Sequence, residues 1–134
     1  IALYKPIDLI NKDNIEAALI ELDFVITFDP KNSEAWAWKA YCLKRQSKFE
    51  VAVKAIETAL QLEGKEIGTW LYNMACYKCL GKYPISEVIV VLERMKASST
   101  PEQILWMYDS LQKDEDFATI YLDEFFIKFI NSLN

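Results

Sequence analysis

Small and large apolar residues recur at helical spacing between residues 33 and 66, and this pattern constrains the fold more than any other feature of the chain. Counted from Ser33, one 34-residue unit contains the large residues Trp36, Leu43 and Ile56 and the small residues Ala40, Ala52 and Ala59. One unit earlier, Ala18, Leu22 and Pro30 stand 34 residues before Ala52, Ile56 and Gly64. Small residues let two helices approach and large ones fill the space between them, so the pattern predicts a repeated pair of helices.

The residues in this pattern resemble the tetratricopeptide repeat (TPR) family. The match is nearly complete over residues 33–66 and weaker on either side. The resemblance implies an all-α fold, a right-handed α-solenoid of about three TPR-like helix hairpins with a helical C-terminal cap. It also implies an adaptor or scaffold that binds a protein or peptide in a concave groove, without enzymatic activity.

The whole chain is predicted to form one TPR-like domain. Residues 1–32 form a truncated first repeat, 33–66 the second, 67–98 a degenerate third, and 99–134 a capping segment. Asp13, Ser33 and Thr100 are the predicted N-caps of three helices. Residues Phe117, Ile120, Phe125, Phe126 and Phe129 are expected to cover the apolar edge of the last hairpin. Residue 1 is not methionine and no leader precedes it, so we expect a processed or excised piece.

Composition and charge restrict the partners. Apolar residues make up 52% of the chain, and its apolar runs are too short for membrane insertion. The net charge of −5 resides in residues 101–134, which hold seven acidic residues and two lysines, while residues 1–100 are balanced. A neutral body with an acidic end argues against nucleic acid and anionic membranes as partners.

The residues needed for common catalytic chemistry are missing from the sequence. The chain has no histidine, and none of its three glycines belongs to a phosphate-binding loop. We therefore predict no enzyme, no cofactor and no metal. Cys76 and Cys79 have the spacing of a redox or zinc motif, but we interpret them as packing residues of a helix. With Cys42 they make an odd number of cysteines, which indicates reduced thiols and a cytoplasmic protein.

The family resemblance implies that the first helix of each repeat lines the groove. In the second repeat the groove residues are Glu34, Trp38, Tyr41, Lys44 and Arg45, and in the third they are Tyr72, Cys76 and Lys78. Trp, Tyr and Arg dominate binding hot spots, and the cations favour an acidic or phosphorylated ligand. Alternatively, Trp38 and Tyr41 pack on the N-terminal helix or the closing helix.

Two other functions stay open at this point. The chain is either a self-associating scaffold that forms a homo-oligomer through exposed repeat edges, or a regulatory domain excised from a larger protein.

Overall fold

The computed structural model describes residues 2–134, and this part of the chain consists of helices and loops without a β-strand. The helices are α1 (Tyr4–Asn11), α2 (Ile15–Phe28), α3 (Ser33–Arg45), α4 (Phe49–Glu63), α5 (Gly68–Leu80), α6 (Ile85–Ala97), α7 (Pro101–Leu111), the 3-10 helix η1 (Glu115–Ile120) and α8 (Glu124–Ser132). The predicted all-α class is confirmed. No described helix is both long and apolar enough to cross a bilayer. Ile1, assigned above to the truncated repeat, lies outside the described residues.

The chain forms two compact units. Unit 1 ends at Lys65, and unit 2 spans Glu66–Asn134. In unit 1, α1 packs on α2, α2 on α3, and α3 on α4. In unit 2, α5 packs on α6 and on η1, and α6 also packs on α8. The assignment of one TPR-like domain divided after residues 32, 66 and 98 stays a prediction.

The helix pairs α1/α2, α3/α4 and α5/α6 are joined by turns of the same geometry. A non-glycine residue with positive φ lies in each turn: +61° at Asp13, +59° at Ser47 and +59° at Lys82. The N–H of the following residue bonds to the carbonyl five residues back: Asn14 to Leu9 (2.8 Å), Lys48 to Leu43 (2.9 Å) and Tyr83 to Lys78 (2.9 Å). This bond defines the Schellman motif. The turn therefore recurs at spacings of 34 and 35 residues.

Two of the three predicted N-caps are wrong by one residue. The N-cap of α2 is Asn14, while Asp13 occupies the left-handed position of the preceding turn. The N-cap of α3 is Asn32, whose Oδ1 accepts from the Ala35 N–H at 3.1 Å. The Ser33 hydroxyl instead donates to Glu63 at 2.6 Å. Asparagine and serine are both good caps, so local sequence could not choose between neighbours.

A proline and a glycine mark the start of α1 and the end of α4. Pro6 lies in the first turn of α1, where its missing N–H would have had no partner inside the helix. The helix therefore starts at Tyr4, before the proline, and extends over eight residues. Gly64 ends α4 in the left-handed conformation, with φ of +74°.

The closing segment of unit 2 is only partly as predicted. Thr100 forms a capping box with Gln103 at the start of α7. Phe117, Phe126 and Phe129 are buried, and the Phe117 and Phe126 rings stack with centroids 5.9 Å apart. Phe125 was also expected to cover apolar surface, but it is 55% exposed. The buried face of α8 follows residues 126, 129 and 130, which places its neighbour 125 toward solvent.

Candidate functional site

The predicted groove residues of the second repeat form a row on α3, which we call the α3 row: Trp38, Tyr41 and Arg45. They lie three and four positions apart and so share one face of the helix. The Trp38 and Tyr41 rings meet edge to face, with centroids 6.1 Å apart. Arg45 donates through Nη1 to the Tyr41 hydroxyl at 3.1 Å, and its guanidinium carbon lies 5.7 Å from the Tyr41 ring centroid. The row is therefore held together by its own contacts.

Both aromatic residues of the α3 row also contact the core of unit 1. Trp38 and Tyr41 are half-buried against a cluster of Ile10, Ala18, Leu22, Val25, Ala35 and Cys42 from α1, α2 and α3. Packing on the N-terminal helices was one of the two alternatives left open by the sequence. The inner part of each ring supports the core, and the remainder is accessible to a ligand.

The cationic end of the α3 row already has an acidic neighbour. Arg45 forms an ion pair with Asp13 in the α1/α2 turn. The hydrogen bond and the electrostatic interaction with Tyr41 raise the pKa of Arg45, and the Asp13 carboxylate raises it further. Lys44 is half-buried, and Glu34 is exposed in the first turn of the same helix. An acidic ligand at this site would have to compete with the Asp13 carboxylate.

The predicted groove residues of the third repeat have a different environment. Tyr72 and Cys76 are buried in unit 2. The Tyr72 hydroxyl donates to Asp114 at 2.6 Å, and burial, followed by this hydrogen bond, raises its pKa. Lys78 is half-buried, with its ammonium 5.6 Å from the Tyr83 ring centroid and 3.9 Å from a Glu87 oxygen. Tyr72 and Cys76 therefore present almost no surface to a partner.

The burial of Tyr72 comes from residues distant in sequence. Its ring lies 4.9 Å from that of Trp106 on α7 and 5.7 Å from that of Phe117 on η1, measured between centroids. These segments lie more than thirty residues further along the chain. The repeat pattern therefore could not predict that Trp106 and Phe117 cover Tyr72.

One cluster could in principle hold a cation. The Cys76 sulfur and carboxylate oxygens of Asp114 and Asp116 all lie within 4.8 Å of one another. Asp114 also has a structural role, because its Oδ2 accepts from Tyr72 and its Oδ1 from the Asp116 N–H at 2.9 Å. Both aspartates are half-buried.

The cysteines are free thiols. Cys42, Cys76 and Cys79 are all buried. Burial raises the pKa of Cys42 to about 11 and also raises the pKa of Cys79, whose sulfur lies 3.6 Å from the Thr119 hydroxyl. A protonated, buried thiol is a poor nucleophile, which fits the predicted packing role.

An exposed apolar surface on α2 was missed. Ile20, Phe24 and Phe28, which we call the α2 stripe, lie four residues apart and are 70%, 60% and 66% exposed. Ala18 and Leu22 on the inward face belong to the repeat pattern, and no role was predicted for the outward face. The sequence contains a signal for this surface, because α2 is apolar on two faces, whereas an ordinary surface helix has a single apolar face.

A second exposed apolar surface lies on α7. Leu105 and Trp106 are exposed beside Glu102 and Asp109, and Asp109 forms an ion pair with Lys113 at 2.9 Å. The surroundings of this patch are mainly acidic, whereas acidic and basic residues balance around the α2 stripe.

Comparison with family models, curated proteins and solved structures finds no match to this chain. The tetratricopeptide resemblance therefore stays an interpretation of the residues themselves.

Proposed function

We propose that the chain is a non-enzymatic protein-interaction module of the cytoplasm. Its three helix hairpins would repeat in the manner of tetratricopeptide units in a right-handed α-solenoid, with α3, the first helix of the second hairpin, lining the binding groove. The recurrence of one turn geometry at Asp13, Ser47 and Lys82 supports the repeat. The buried free thiols fit a reducing compartment.

The α3 row carries this proposal. Trp38, Tyr41 and Arg45 are the residue types most enriched in binding hot spots, and contacts with one another and with the core hold them in place. A surface that is already ordered loses little side-chain entropy when a ligand binds. The proposed site therefore lies in unit 1, because Tyr72 and Cys76 are interior residues of unit 2.

The proposed ligand is a protein or peptide that places an apolar side chain against the two rings and a carboxylate or phosphate near Arg45. Without a ligand, the Arg45 guanidinium forms an ion pair with the Asp13 carboxylate. An acidic group of the ligand would replace the Asp13 carboxylate at Arg45. Loss of the Arg45 charge should therefore lower ligand affinity, and loss of the Asp13 charge should raise it.

Affinity capture from the source cell's lysate, with three variants, tests the proposal. Arg45→Glu should lose the partner that the wild type retains. Asp13→Asn should retain more of it, because asparagine tolerates the left-handed conformation and lacks the competing charge. Lys54→Glu makes the same kind of charge reversal at an exposed residue of α4 and should retain the partner as the wild type does. Equal capture by Arg45→Glu and the wild type, at matched helicity, would move the site away from α3.

Self-association is the second candidate function. It is favoured by one observation, the exposed α2 stripe, since contiguous apolar side chains on a surface mark interaction sites.

A further inference from the structure

The α2 stripe is held on a well-anchored helix. The opposite face of α2 buries Ala18, Leu22 and Val25 in the core of unit 1. On the outer face the Phe24 and Phe28 rings contact each other, with centroids 4.8 Å apart. The two rings therefore form a joint apolar surface, and Ile20 lies one turn before Phe24 on the same face of the helix.

Ion pairs border the α2 stripe on both sides. Toward α1, Lys5 bonds to Glu21 at 2.9 Å, and toward α3, Lys39 bonds to Asp23 at 2.7 Å. An apolar centre with a polar rim is the usual anatomy of a protein interface. The two lysines balance the two carboxylates, so the rim carries no net charge.

This neutrality favours a second copy of the chain as the occupant. In a two-fold symmetric dimer a surface faces itself, so a surface with net charge would repel its own copy. Two copies that paired through Leu105 and Trp106 on α7 would bring acidic residues together and repel each other. The neutral rim of the α2 stripe avoids this repulsion.

Charges at the two ends of the α2 stripe favour one orientation. Glu16 lies one turn before Ile20, and Lys31 lies three residues after Phe28. Both are exposed, and neither forms an ion pair with another residue in the part of the chain that the structure describes. Antiparallel pairing about Phe24 places Ile20 against Phe28 and Glu16 near Lys31 of the other copy. Parallel pairing would instead place like charges together.

We propose that two copies of this chain associate through the α2 stripe, with their α2 helices antiparallel and Phe24 at the two-fold axis. This inference rests on the self-association candidate above and is independent of ligand binding at the α3 row. The stripe contributes only three apolar side chains, so we expect weak association, with a dissociation constant on the order of micromolar.

Sedimentation velocity over a range of concentrations tests the dimer. The wild type should pass from monomer to dimer as concentration rises, and Phe24→Ser should weaken association at least tenfold. Val51→Ser is the matched control, because Val51 is an exposed apolar residue of unit 1 outside the stripe. It should associate as the wild type does. Circular dichroism checks that the helix content of each variant is unchanged.

Charge exchange tests the orientation. Glu16→Lys and Lys31→Glu should each weaken the dimer, and the double variant should recover it. A wild type that stays monomeric at all concentrations would overturn self-association. If Phe24→Ser dimerises as the wild type does, the dimer interface does not lie on α2. If the double variant does not regain the wild-type dimerisation, the helices are not antiparallel. Partner capture by Phe24→Ser reports on the α3 row separately.

Discussion

The two units of the chain use the same kind of helix pair but distribute charge and large apolar side chains differently. Unit 1 has nine basic and ten acidic residues, whereas unit 2 has six basic and ten acidic residues. Unit 1 fills much of its core with alanines and exposes Ile20, Phe24 and Phe28. Unit 2 places the aromatic rings of Tyr72 and Phe117 inside.

This difference bears on the proposed function, which places ligand binding in unit 1. In unit 1 small core residues allow the helices to approach closely, and large apolar side chains of α2 lie on the surface. In unit 2 the segment after α7 brings aromatic residues onto α5 and α6, and its interior is closed. We therefore expect binding variants to cluster in unit 1 and severe stability variants in the aromatic core of unit 2.

The largest effect should come from the aromatic core. Phe117 is fully buried between Tyr72 and Phe126, so Phe117→Ala should reduce the free energy of unfolding of unit 2 by about 3–5 kcal/mol. Phe125→Ala removes the same side chain from an exposed position and should cost far less. Urea unfolding of both variants measures the difference. Equal losses would show that Phe117 is not part of a closed core.

Alkaline pH should act on the two units through different residues. An unfolded tyrosine ionises near pH 10, but the raised pKa of Tyr72 keeps the folded side chain protonated above that pH. The folded state then holds more protons than the unfolded one, so the stability of unit 2 should fall as pH rises above about 10. The same sign applies to Cys42 in unit 1, because burial raises its pKa to about 11. The stability of unit 1 should therefore fall as pH rises from the ordinary thiol pKa of about 8.5 to about 11.

Substitutions should remove these pH dependences one at a time. Tyr72→Phe should reduce the alkaline loss in unit 2 and leave the part due to Cys79, whose pKa is also raised. Cys42→Ala should remove the corresponding loss in unit 1. Urea unfolding followed by the fluorescence of Trp106 or Trp38, each as the sole tryptophan, reads the units separately. A Tyr72→Phe variant with an unchanged alkaline profile would argue that its hydroxyl is not buried.

A smaller effect should distinguish the two adjacent candidates for the α3 cap. Asn32→Ala removes the acceptor of the Ala35 N–H and should cost about 1 kcal/mol of unfolding free energy. Ser33→Ala removes only an exposed hydrogen bond to Glu63 and should cost less. Chemical unfolding of unit 1 compares them. The opposite ranking would return the cap to Ser33, as the sequence first suggested.

The smallest effect should come from the α2 stripe. Phe24 is exposed, so Phe24→Ser should change the unfolding free energy of the monomer by no more than about 0.5 kcal/mol. Unfolding at a concentration below the dimer range is the measurement. A loss of several kcal/mol would show that Phe24 supports the core and would remove it from the interface.

Much of the fold follows from local pattern. The inward face of α2, with Ala18, Leu22 and Val25, obeys helical periodicity, and all three residues are buried. The end of α4 at Gly64 and the start of α7 at Thr100 follow from glycine and threonine chemistry. The sequence therefore predicted the existence and order of these helices.

The candidate site was less predictable because it depends on contacts between distant segments. Tyr72 and Cys76 occupy positions expected to face a groove, but η1 packs on α5 and they are buried. The pairing of Arg45 with Asp13 joins α3 to a turn thirty-two residues earlier. The outward apolar face of α2 was visible in the sequence, but the sequence does not show whether another helix covers that face.

The most direct test of the interaction-module account is amide hydrogen exchange of the chain with and without its captured partner. We expect added protection concentrated in residues 33–45, reduced by Arg45→Glu and retained in Lys54→Glu. Protection confined to residues 101–111, or none in either unit, would contradict binding at the α3 row.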